Sequence, residues 1–174
     1  MSAVRYIDTY ELARSGSAVA GVVSLRDFGR LCAGLPEQAD QSVEWSVRAD
    51  KNTGGEVFLW VSVKTAVLLE CQRCLEAFAQ PLDVSTRLQV VAEADLDDGG
   101  SHDPDGNGVA VERIAASHRL DILELIEDEI ILGLPYVPRH DACPSESASP
   151  ADSESDEKRP SPFSVLGKLK KPTL

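Results

Sequence analysis

Residues 43–49 alternate strictly, with Val43, Trp45 and Val47 set against Glu44, Ser46 and Arg48; this period of two predicts a half-buried β-strand. Asn52-Thr53-Gly54-Gly55 supplies a turn, and Glu56 to Glu70, rich in Val, Leu, Phe and Trp, predicts a longer strand. Leu82 to Ala92 alternates again, with Val84, Thr86, Leu88 and Val90 opposed to Asp83, Ser85, Arg87 and Gln89. Between these strands lie Cys71-Gln72-Arg73-Cys74 and Phe78 to Pro81, so the pattern predicts an antiparallel hairpin crowned by a CxxC knuckle. Val109 to Ile114 predicts one further short strand.

Two segments carry a helical period instead. Leu25, Phe28, Leu31, Cys32 and Leu35 recur at helix spacing, with Ser24 as N-cap and Gly34 and Pro36 closing the segment. Ile122, Ile126, Ile130 and Leu134 repeat every fourth residue behind the cap pair Asp121 and Glu124. Glu124, Glu127 and Asp128 fall on the other side of that helix and read as a solvated or partner-facing acidic surface. The predicted fold is therefore α+β: an antiparallel sheet with a CxxC-tipped hairpin, packed by two amphipathic helices near Ser24–Ala33 and Asp121–Leu134.

Residues 1–19 read as an N-terminal extension to a domain at 20–144, which carries an acidic loop at 93–108. A disordered Ser/Glu/Asp/Pro linker at 145–160 follows, then a basic segment at 161–174. In that last segment Phe163, Leu166 and Leu169 restore an apolar spacing that predicts a short docking helix, alongside Lys168 and Lys170. The chain of 174 residues, 43% hydrophobic, suits one domain with tails.

The net charge of −12 is unevenly spread. Of 29 carboxylates, 12 fall between Glu93 and Asp105 or between Asp141 and Glu157, and the remaining 17 balance the 17 Lys and Arg. Aromatic residues make up only 5% of the chain, which argues against the aromatic interleaving of an RNA-recognition sheet. No apolar stretch is long enough to span a bilayer, and no secretory leader pattern opens the chain, so a cytoplasmic protein is expected. Four cysteines in a reducing compartment are no disulfide framework; Cys32 reads as a buried hydrophobe.

The knuckle leaves three chemistries open. Cys71, Cys74 and Cys143 with His140 form a donor set of the kind that holds a structural zinc ion. The thiols can equally shape the turn without metal, or run disulfide exchange; for exchange a CxxC opening a helix in a βαβ context would be expected. Arg73, on the same turn, can offer a fork to phosphate or carboxylate, or be a plain solubilising charge. His102, His118 and His140 stand without a nucleophile at recognisable spacing, and neither a P-loop nor a dinucleotide fingerprint occurs. No enzyme and no small-molecule substrate is expected.

Three segments in order carry a resemblance: Leu68-Leu69-Glu70-Cys71-Gln72-Arg73-Cys74-Leu75, the helix DILELIEDEIILGLP from Asp121, and the tail PFSVLGKLK. Together, over roughly residues 20 to 171, they resemble the YceD family, the bacterial large ribosomal RNA subunit accumulation proteins. The resemblance implies a ribosome-biogenesis factor needed for synthesis, processing or stability of the large-subunit ribosomal RNA. Its expected partners are the large-subunit RNA precursor, or ribosomal and processing proteins bound to it. Cys71, Arg73, Cys74, Phe163, Leu166, Lys168 and Lys170 are the candidate contacts, and Cys71, Cys74, His140 and Cys143 the candidate zinc ligands. The competing classes are a protein-binding adaptor and a small thiol- or zinc-dependent enzyme.

Overall fold

The computed structural model describes residues 4–96 and 111–143. Met1–Asp141 forms one compact unit and Ala142–Leu174 a second, of which Ala142 and Cys143 are described. The first unit runs β1 (Tyr6–Ile7), α1 (Thr9–Ser15), β2 (Ala18–Ser24), a 3-10 turn (Leu25–Asp27), α2 (Gly29–Cys32), β3 (Ser42–Lys51), β4 (Val57–Glu70), β5 (Ala77–Val91), β6 (Glu112–Ala115), β7 (Leu120–Asp121) and α3 (Ile122–Gly133). Strands β2-β3-β4-β5-β6 make one sheet in that order, and β1 pairs β7 in a second, two-stranded one. The fold is α+β, as the periodicities predict.

Three details differ from expectation. The main sheet is mixed, because β6 lies parallel to β5, with Leu88 opposite Glu112 and Val91 opposite Ala115. A parallel neighbour needs a long crossover, and the stretch between Val91 and Glu112 is long enough to supply one. The helix expected at Ser24–Ala33 is broken: Ser24 does cap, its hydroxyl accepting from the Arg26 amide at 3.4 Å, but Phe28 leaves the helical backbone at φ −96° and ψ 87°. This break lets Leu25, Phe28 and Leu31 all reach the core. Phe78 to Pro81, placed in the connection by the sequence reading, belongs to β5; Pro81 sits opposite Ala66, where β5 has β4 alone as neighbour among the described residues.

The N-terminal residues supply elements that the periodicity reading passed over. Asp8 caps α1, accepting from the amides of Tyr10 and Glu11 at 2.8 and 3.1 Å, and Gly16 closes it at φ +60°, a left-handed conformation that costs glycine little. Leu12 of this helix enters the core.

That core lies on one face of the main sheet. Odd-numbered Val43, Trp45, Val47 and Ala49 of β3 and Leu59, Val61, Val63, Val67 and Leu69 of β4 point to it. Ile122, Ile126 and Ile130 of α3 are wholly buried in the same cluster. Asp121 starts that helix by accepting from the amides of Leu123 and Glu124. Gly21 is required where β2 passes Trp45, since a Cβ there would stand 2.7 Å from the indole.

The acidic side of α3 is not simply solvated. Glu127 is 7% exposed: its Oε1 accepts from the Leu31 amide at 2.9 Å and its Oε2 from Arg30 Nε at 2.9 Å, clamping α2 to α3. Asp128 holds the other side of the Arg30 guanidinium at 2.9 Å. Glu129, 4% exposed, accepts from the Thr86 hydroxyl at 2.5 Å. Burial, with smaller contributions from Glu112 and Asp128, raises the Glu129 pKa above its ordinary value against the opposing hydrogen bond.

Two outcomes are expected. Glu127→Ala leaves the Leu31 amide buried without its acceptor and lowers stability by about 1–3 kcal/mol, measurable by urea denaturation. At Glu129 the unfolded chain loses its proton first as pH rises, so this residue's contribution to stability declines above about pH 4. Glu129→Gln should therefore melt higher than wild type at neutral pH, with the advantage vanishing in acid; a pH series of melting curves checks the sign.

Candidate metal centre

The sheet delivers the knuckle. Every residue of β4 from Val57 to Glu70 pairs with β5, from Val57 opposite Val90 to Glu70 opposite Ala77, and the last part of this hairpin runs beyond the end of β3. Gln38 supports that overhang in place of a strand: its Oε1 accepts from the Leu68 amide at 2.9 Å and its Nε2 donates to the Leu68 carbonyl at 3.0 Å. The tip closes with the Cys71 amide donating to Glu76 O at 2.9 Å and the Leu75 amide to Cys71 O at 2.8 Å. Leu75 takes φ +64°, a conformation that non-glycine residues rarely adopt.

The inward row of β4 explains the burial of the first thiol. Val67, Leu69 and Cys71 are successive odd positions, and Cys71 is 0% exposed. Cys74, on the turn itself, is half-buried, while Arg73 between them is exposed. After α3 the chain returns to the tip, where the Gln72 amide donates to Pro138 O at 2.9 Å. His140 then stacks on Phe78, ring centroids 4.7 Å apart, and brings its Nδ1 to 3.3 Å from Cys74 Sγ.

The ligand atoms of Cys71, Cys74 and His140 are within 4.8 Å of one another, and Cys143, three residues beyond His140, is the fourth member of that cluster. Burial by itself would raise the Cys71 thiol. The backbone amides of Cys74, His140 and Arg73, helped by the His140 side chain, outweigh it and hold the pKa down to about 5. The turn is thus arranged to receive a thiolate. Three sulfur donors and one imidazole are soft to intermediate ligands in the number a tetrahedral ion takes, so the cluster can hold a metal such as zinc. Cys32 stands apart from the cluster, half-buried, its thiol 3.5 Å from Leu25 O and its pKa raised by burial and by the nearby Glu127 charge.

The family model described as large ribosomal RNA subunit accumulation protein YceD matches residues 59–170. The chain belongs to the YceD family. The Large ribosomal RNA subunit accumulation protein YceD of Haemophilus influenzae is 33% identical to it over 115 residues, covering 62% of this chain and 62% of that relative. No solved structure gives a significant match. The YceD match begins inside β4 and takes in the hairpin tip, α3 and all four members of the cluster, while β1 to β3 precede it. The expected contacts Phe163, Leu166, Lys168 and Lys170 lie outside the described residues, as do the linker and nearly all of the acidic loop. No helix among the described residues is long and apolar enough to cross a membrane.

Sequence spacing brought Cys71 and Cys74 together; it gave no sign that the stretch after α3 returns to them. The missed signal was the alternation itself, which carries on through Cys71 and turns that thiol toward the face on which α3 packs.

Proposed function

We propose that this chain is a non-enzymatic cytoplasmic factor of large-subunit ribosome biogenesis, with a knuckle held by a structural zinc ion. Family membership supports the ribosomal part. The observation that carries the site is the gathering of three cysteines and one histidine at the tip of the β4–β5 hairpin. A zinc ion there would be held by Cys71, Cys74, His140 and Cys143, and would supply no chemistry beyond cross-linking the hairpin tip to the segment after α3. In this reading the rigid turn presents Arg73 to a phosphate or carboxylate of the precursor RNA or of a protein bound to it. The tail, through Phe163, Leu166, Lys168 and Lys170, provides a second contact beyond an acidic linker at 145–160.

One observation favours thiol exchange instead, namely the low pKa of Cys71. Its complete burial weighs against that role, because an attacking thiolate must be reached by its disulfide partner.

Protein purified without added metal should carry stoichiometric zinc, and a strong chelator should lower its melting temperature. Metal-free protein that melts unchanged in chelator would remove the zinc. For the function, the ratio of large- to small-subunit ribosomal RNA is measured in depleted cells rescued with wild type or with Cys71→Ser/Cys74→Ser. A selective fall in the large-subunit RNA that only wild type restores is the expected result. An unchanged ratio on depletion would overturn the ribosomal role.

A further inference from the structure

The main sheet has a second face, opposite the core, and its side chains are arranged in rows. Arg48, Trp60 and Arg87 stand in register on β3, β4 and β5. Trp60 is 37% exposed, with the guanidinium carbons of Arg87 and Arg48 at 5.5 and 5.9 Å from its ring centroid. Arg87 is fixed there by a second aromatic: it lies 3.8 Å from the ring centroid of Phe58, which is 1% exposed. The next row toward the hairpin tip is Ser46, Ser62 and Ser85, and at its border lies a depression of about 190 Å³ lined by Glu44, Trp45, Ser46, Ser62 and Lys64.

We propose that this outward face binds single-stranded RNA, one unpaired base stacking on Trp60 between Arg48 and Arg87 while the backbone crosses the serine row. An open indole offers a sequence-tolerant platform to a base, and flanking guanidiniums can meet the adjoining phosphates or stack in turn. On the tip side of the ring the neighbouring row is all serine, which leaves that approach low, and its hydroxyls suit sugar and phosphate oxygens. A protein interface centred on a tryptophan would rest on an apolar surround, whereas this one is hydroxyl and charge. Among the described residues, carboxylates at this face include Asp50, 4.0 Å from Arg48, Asp83, tied to Lys64 at 2.9 Å, Glu44 at the edge of the depression, and Glu56, which accepts from Gln89 Nε2 at 2.9 Å. Stacking rather than net charge therefore dominates the affinity. The inference rests on the ribosomal reading for the choice of RNA as the nucleic acid; the ribosomal RNA ratio in cells and the binding assay below can each fail without the other.

The test is fluorescence anisotropy of a labelled oligouridine roughly 10 nucleotides long, titrated with the full chain at about 50 and 200 mM salt. Trp60→Ala should weaken binding about tenfold or more, Trp60→Phe should restore most of it, and Arg48→Gln should flatten the salt dependence by about 0.7 in logarithmic slope. Circular dichroism melting of each variant shows that the fold is kept; Trp60→Phe guards against a loss caused by misfolding. Unchanged affinity in Trp60→Ala, or no binding by the wild type at low salt, would overturn the proposal.

Discussion

The continuous pairing of β4 with β5 is the constraint on which the remaining structure depends. One register, from Val57 opposite Val90 to Glu70 opposite Ala77, fixes which side chains of both strands face the helices and which face outward. A slip of one residue would turn Leu59, Val61 and Val63 out and bring Trp60, Ser62 and Lys64 in. The same register carries the hairpin past the end of β3, so its tip stands clear of the sheet and can be met by another segment. Gln38 makes this overhang tolerable by satisfying both backbone groups of Leu68, which would otherwise lack a neighbour.

From this frame the two faces take different work. The inner face is closed by α3, whose Ile122, Ile126 and Ile130 complete the core, and its row of odd positions ends at Cys71. Burial of a thiol is ordinary, but burial beside three backbone amides is suited to a thiolate, and with two further sulfurs and an imidazole nearby the cluster can hold a metal ion. Around the middle of the hairpin the outer face is mostly polar, with Arg87 covering Phe58 and Trp60 left open. Core formation and surface chemistry are thus two consequences of one alternation.

The carboxylates of α3 show how position alters a charge. Glu127 and Asp128 share Arg30, yet Glu127 also satisfies a backbone amide of α2 and is buried, whereas Asp128 remains substantially exposed. Glu129 turns toward Thr86 and keeps a raised pKa because no cation offsets its burial among the groups that act on it. Adjacent acids on one helix therefore serve as a clamp, a surface ion pair and a buried group with a raised pKa, depending only on what packs against each.

Local pattern alone determined the strands at Val43–Ala49 and Glu56–Glu70, the α3 helix with its Asp121 cap, the turn between β3 and β4, and the CxxC at a hairpin tip. These follow from periods and caps that act over a few residues. The cysteine spacing likewise showed which donors were available. Tertiary structure decided the rest: that β6 runs parallel, that Phe28 breaks its helix to reach the core, and that Glu127 is buried. It also decided that His140 returns to Cys74, and that Arg48, Trp60 and Arg87 form one row, although aromatic content argued against such a surface. Each of these depends on residues far apart in the chain meeting across a sheet or a helix interface, and no local period encodes that meeting.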